Sequence, residues 1–172
     1  MKKAITLLMI IISSTLLFFS CCNQSCNKVK NQTYADSLDK QLKLLSDIQN
    51  KNEANKKLVA EFYQELFGDK NVNAIDKYIG DIYIQHNPIL PDGKEALKKG
   101  AIQWFKGAPK EKINIQHIGA DGNFVYIHTK VKMGKKTVSI IDIFRLENGK
   151  ILEHWDVGQE VPEKSANPHP MF

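Results

Sequence analysis

Cysteine is missing from most of this sequence: Cys21, Cys22 and Cys26 lie within six residues of one another, and none follows. That excludes a disulfide framework for everything downstream. It also excludes a zinc site of familiar spacing, because no histidine or further cysteine stands close by. Charge of one sign is not concentrated anywhere. Lysines are interleaved with acidic residues, and no basic stripe alternating with aromatics exists to follow a phosphate backbone, so nucleic acid is excluded as a partner. The formal charge of +5 falls to +3 when Lys2 and Lys3 are set aside, 22 basic residues then facing 19 acidic ones. Repeats and low-complexity tracts are absent as well.

What is present begins with one long apolar run. Lys2 and Lys3 precede an apolar stretch from Ala4 to Phe19, then Ser20, then Cys21. These are the three parts of an export signal, and the segment resembles a bacterial lipoprotein signal. Residues 1–20 are therefore predicted to be a signal peptide, with Cys21 as the lipidated residue and Cys22 as the alternative. An uncleaved membrane span is the other reading, since the run approaches the ~18–20 apolar residues a bilayer requires. Both readings put the remaining chain outside the cytoplasm, in the cell envelope and close to a membrane. Acyl chains on a cysteine would hold it there, each buried methylene contributing about 0.8 kcal/mol. Residues 21–52 are polar and rich in Asn, Gln and Lys, with one weak helical stripe at Leu38, Leu42, Leu45 and Ile48. They read as a tether that is partly helical.

Residues 53–172 are long enough for one domain with its own core, and the 42% hydrophobic content of the whole chain agrees with this. Leu58, Val59, Phe62, Tyr63, Leu66 and Phe67 recur at helical spacing up to Gly68. A short helix is predicted over Val72–Ile79 and a third over Lys94–Phe105. Strand patterns follow over Ile113–Ile118, Phe124–Lys132, Thr137–Leu146 and Ile151–Val157, separated by the turns "ADGN", "MGKK" and "ENGK". Helices first and strands second predict an α+β fold, three helices laid on one face of an antiparallel sheet of at least four strands.

Asp142 stands between Val138, Ile140, Phe144 and Leu146, so period-two alternation places its carboxylate on an apolar face, where it must find a partner or hold a proton. Its neighbours depend on the turn at Asn148-Gly149. A two-residue type I′ turn sets Asp142 opposite Trp155. A three-residue loop with Gly149 in the left-handed position of a bulge sets it opposite His154, with Asp156 beyond.

The stretches "YIQHNP…DGKEAL", "DIFRLENGKILEHWDV" and "NPHPMF" together resemble SnoaL-like proteins. These are the polyketide-cyclase-related branch of the nuclear transport factor 2-like superfamily, and the resemblance spans about Asn55 to Phe172. It implies a cone: a curved sheet wrapped around helices, open at one end, with family members often pairing through the convex face. The family's habit of turning last-strand polar residues into the cone favours the bulged turn, which also brings Leu152 and Phe144 inside together. Trp155, Ile141, Ile143 and Val157 would then line the outer face. A homodimer contact there, or a tryptophan covered by the C-terminal tail, would account for that apolar surface.

By resemblance, Asp156 is the acid/base, Asp142 and His154 orient it, His86 points into the pocket near the cone mouth, and Tyr83 and Trp104 form walls. The chemistry implied is proton abstraction alpha to a carbonyl, followed by aldol closure or double-bond migration, on a small organic molecule and without cofactor. No metal is expected either: His86, Asp142, His154 and Asp156 could supply ligands, but no His-x-His or His-x₃-His spacing supports a site. A non-catalytic ligand-binding module is the alternative function, since this fold carries both. His117, His128 and His169 read as ordinary strand or tail residues.

Overall fold

The computed structural model describes the backbone of residues 2–172 and the side chains of residues 31–172. The lipidated Cys21 of the sequence reading lies outside the described side chains. Helix α1 is Lys2–Tyr63, so the predicted tether is helical where it is described. Among the described residues no helix is long and apolar enough to cross a membrane. The chain forms two units, Met1–Asp47 and Ile48–Phe172. In the first, the stripe residues Leu38, Leu42 and Leu45 are exposed.

In the second unit the last turns of α1 bury Val59, Phe62 and Tyr63. A π-helical turn, Gln64–Gly68, ends the helix. Gln64 secures that turn: its amide donates to the Glu111 carbonyl and accepts from the Ile113 N–H. Two helices follow, α2 (Ala74–Tyr78) and α3 (Lys94–Trp104), with strand β1 (Ile79–Gln85) between them. Four strands complete the chain: β2 (Asn114–Asp121), β3 (Phe124–Met133), β4 (Lys136–Glu147) and β5 (Lys150–Glu160). They form one five-stranded sheet in the order β1-β5-β4-β3-β2, antiparallel except for the parallel β1–β5 edge. The α+β architecture is as expected, and β1 is a strand the sequence pattern did not announce.

The core lies between these helices and the inner face of the sheet. Phe62 meets Phe144 edge-on with ring centroids 6.0 Å apart, and Leu66, Ile75, Val125, Ile127, Leu146 and Ile151 close around them. Each such side chain contributes about 1.5–3 kcal/mol by leaving water.

The β4–β5 hairpin takes the two-residue turn and not the three-residue loop, but without the register that turn alone would impose. Asn148 and Gly149 have φ of 49° and 71°, and Glu147 pairs directly with Lys150, which is the two-residue type I′ turn. Unmodified, that turn would have opposed Asp142 to Trp155. The ladder instead slips one residue between Arg145 and Leu146, so that Arg145 faces Glu153 and Leu146 faces Ile151. Leu152 is the extra residue of a β-bulge, and every later residue of β5 changes face because of it. The opposed pairs are Phe144 with His154 and Asp142 with Asp156. His154 and Asp156 do turn inward, but Asp142 opposes Asp156 and not His154 as expected, and the device is a bulge inside the strand and not a three-residue loop. Gly80 makes room for the bulge, since a Cβ there would sit 2.2 Å from Leu152 Cδ2.

Candidate functional site

Two buried ionisable residues, Asp142 and His154, sit on the inner face of the sheet. Phe144 carries the His154 ring, centroid to centroid 4.9 Å, because the two are register partners. His154 Nε2 lies 2.9 Å from Asp142 Oδ1 and 3.8 Å from Asp156 Oδ2. Tyr63, at the end of α1, donates its hydroxyl to Asp142 Oδ2 at 2.9 Å. One imidazole thus stands between two carboxylates, with a phenol on the far side of the deeper one.

The segment after β1 completes the site. Gln85 Oε1 accepts the Asn87 N–H at 2.9 Å, while its Nε2 donates to the Tyr83 hydroxyl at 3.2 Å. With the amide oriented in this way, the contact of 2.9 Å between Gln85 Oε1 and His154 Nδ1 is a hydrogen bond donated by the ring. Nδ1 therefore carries a proton, and Nε2 faces the carboxylates. Asn87 Oδ1 accepts the Ile89 N–H, which turns Asn87 Nδ2 toward Asp156, 2.8 Å from both of its oxygens. Pro88 biases Asn87 to an extended backbone, and alternation sends Gln85 and Asn87 to one side and His86 to the other.

His86 does not enter the site, contrary to expectation. Its ring stacks on Trp155 at 4.3 Å and its Nε2 meets Glu153 Oε1 at 2.9 Å, both on the outer side of β5. The physical reason is β1: its extension holds His86 N–H on the His154 carbonyl, so period-two alternation forces the ring outward. Tyr83 is buried within the network, its hydroxyl taking the Gln85 amide. Trp104 is 46% exposed at the end of α3, its ring lying over Gly100. Tyr63, Gln85 and Asn87 are site residues that the sequence reading did not single out. Tyr63 was hidden in a helical stripe that reads as core. Gln85 and Asn87 flank His86 and needed only the strand assignment to be found.

Burial pushes the Asp142 carboxyl above its ordinary range and the charge of Asp156 adds to this, against hydrogen bonds from His154 and Tyr63 that favour the ionised form. Burial, then the charge of Asp142, raises the Tyr63 phenol well above its usual value. Tyr83 is raised likewise, by burial first and then by the two aspartates. Thr129, fully buried on β3, sets its hydroxyl against the Tyr63 phenol, and that contact partly offsets the rise there.

Because Nδ1 is committed to Gln85, the short Nε2–Asp142 contact requires one proton, on the ring as imidazolium or on the carboxyl. That proton offsets one of the two negative charges of the site. Asp156, with a quarter of its side chain exposed, is the carboxylate an entering molecule can meet. Asp142, His154 and Asp156 also offer one ligand atom each within 4.8 Å of one another, and so are the described residues that could hold a metal ion here. The shared proton meets the same electrostatic need.

No curated protein matches the chain in sequence. Solved structures match it in fold. An NTF-2 like protein of unknown function from Burkholderia xenovorans LB400 aligns with a TM-score of 0.56 at 14% identity, over 66% of this chain and 89% of that one. TsrD from Streptomyces laurentii aligns with a TM-score of 0.52 at 17% identity, over 62% and 88%. An LEH-like epoxide hydrolase from M. tuberculosis aligns with a TM-score of 0.50 at 18% identity, over 63% and 84%. The family described as SnoaL-like polyketide cyclase matches residues 57–164, the stretch that holds every residue of the site. The chain belongs to the SnoaL-like polyketide cyclase family of nuclear transport factor 2-like folds.

Proposed function

We propose that the domain binds a small organic carbonyl compound and moves a proton alpha to the carbonyl, with Asp156 as the acid/base. The observation that carries this reading is the line Asp142–His154–Asp156, a buried carboxyl and an imidazole sharing one proton behind a second, partly exposed carboxylate. Asp156 takes the α-proton, and the resulting enolate carbon attacks a second carbonyl. The alkoxide then recovers the proton from Asp156, so the residue ends as it began. Positioned acid/base groups of this kind contribute about 10²- to 10⁴-fold in rate. The shared proton keeps the charge behind Asp156 small, and Asn87 fixes its direction.

A second reading, a non-catalytic binding module, is favoured by one observation: Tyr63, Gln85 and Asn87 already satisfy Asp142, His154 and Asp156. Solvent deuterium exchange at α-carbons separates the two. In D₂O, a panel of cyclic ketones and β-keto esters is followed by proton NMR with the wild type and with Asp156→Asn. The enzyme reading expects accelerated exchange with at least one ligand, lost in the variant. Ligands that bind, by shifts in protein resonances, without any accelerated exchange favour the module.

The signal sequence supports placing this activity outside the cytoplasm of a bacterial cell, anchored through lipid on Cys21. Ile141 and Tyr126, each 43% exposed, and Val157, 69% exposed, support a homodimer through the outer face.

A further inference from the structure

His117 and His128 belong to neighbouring strands, and a second β-bulge brings them together. The β2–β3 ladder slips between Ile115 and His117, leaving Gln116 as the extra residue and pairing His117 with His128. Without it, His117 would face the inner side of the sheet opposite Ile127. With it, both imidazoles stand on the outer face, Nδ1 to Nδ1 at 3.0 Å, their ring planes 11° apart. Bulges commonly re-aim a side chain in this way.

We propose that His117 and His128 form a two-imidazole chelate for a late first-row divalent transition ion, copper(II) foremost. Two nitrogens bound at about 2.0–2.1 Å to one ion, at angles between square and tetrahedral, lie about 2.8–3.4 Å apart. The observed separation is that of a hydrogen bond between the two rings and falls inside that range, so the ion would take the place of the proton they share. His128 is held for the purpose: Ser139 Oγ lies 2.7 Å from its Nε2 and the Phe172 ring lies 5.7 Å from its own. A hydrogen bond on the second ring nitrogen is what orients ligating histidines. Lys130, on the same face, lays its ammonium over the Phe172 ring at 4.5 Å. Paired imidazoles select copper and zinc over magnesium or calcium, and copper(II) binds tightest in the series. The pair lies on the opposite face from Asp142, so this site is independent of the acid/base reading.

The test uses the full chain without an affinity tag and with every free thiol alkylated. It is titrated calorimetrically with copper(II), zinc and magnesium chlorides, and the copper form is examined by electron paramagnetic resonance. One copper per chain with hyperfine coupling to two imidazole nitrogens is expected, with zinc weaker and magnesium not bound. His117→Ala, an exposed position that leaves the fold intact, is expected to weaken copper by about tenfold or more and remove one nitrogen coupling. Ser139→Ala is expected to cost less, while His169→Ala and Asp156→Asn leave binding unchanged. Copper bound equally well by His117→Ala, or not bound at all by the wild type, overturns the proposal.

Discussion

Replacing Asp142 by two different residues separates its hydrogen bonds from its charge. In Asp142→Asn the new side chain fits the existing partners: Oδ1 accepts from Tyr63, and Nδ2 donates to His154 Nε2 while Nδ1–H stays on Gln85. No buried group is left unpaired, so the change at neutral pH is within about 1 kcal/mol. Asp142→Ala strips partners from a Tyr63 hydroxyl and a His154 nitrogen that are both buried, at about 1–3 kcal/mol each, or about 2–6 kcal/mol together. Ile48–Phe172 spans 125 residues. At about 2.1 cal/mol/K of unfolding entropy per residue, 1 kcal/mol moves Tm by about 4 °C. Calorimetric melts should therefore show a loss of about 8–24 °C for the alanine variant and no more than about 4 °C for the asparagine.

The pH dependence gives a second readout. The folded Asp142 carboxyl is raised above its ordinary 3.8, so the folded state keeps a proton that the unfolded chain releases. Its contribution to stability is complete below pH 3.8 and is lost as pH rises through the folded value. Asp142→Asn removes that decline, and its Tm relative to wild type improves as pH increases over this window. Equal losses in the two variants, or an asparagine variant that loses ground as pH rises, would refute the hydrogen-bond accounting.

Three further outcomes follow from placements already described. His86→Ala removes a ring stacked on Trp155 on the outer side, so it should cost about 1 kcal/mol of stability and leave any α-proton exchange intact; loss of exchange would return His86 to the site. Ile141→Glu with Val157→Glu should convert a dimer to monomer in sedimentation equilibrium, and a wild type that is monomeric at micromolar concentration removes the outer-face dimer. Cys21→Ala should abolish incorporation of labelled fatty acid and release the chain from the membrane fraction, whereas the same result from Cys22→Ala alone would move the anchor by one residue.

The fold was legible wherever periodicity ran long enough. The amphipathic spacing from Leu58 to Phe67 and the four alternating segments after Ile113 yield helices and strands close to the observed ones. β1 was not legible, because Gly80 and Asp81 interrupt its apolar pattern and its pairing is parallel to a strand about 70 residues away. That single omission misdirected His86. A strand through Gln85 assigns His86 and its two neighbours to opposite sides, and the neighbours are the ones that grip His154 and Asp156. The inward turn of β5 was anticipated through the wrong device: a Leu152 bulge leaves no local signature in "GKILEH", since its cause is the space over Gly80 in another strand. Tyr63 shows the complementary failure, for a buried phenol with an ionisable partner has the same helical spacing as plain core.

The account depends most on the proton-bearing arrangement at His154. Nitrogen-15 NMR of histidine-labelled protein reports which ring nitrogen is protonated. A protonated Nδ1 on His154 in both wild type and Asp142→Asn, with a bare Nε2 in the variant, is the predicted result. A bare Nδ1 with the proton on Nε2 in that variant would contradict it, because Gln85 would then not be holding the ring and the line to Asp156 would not exist as described.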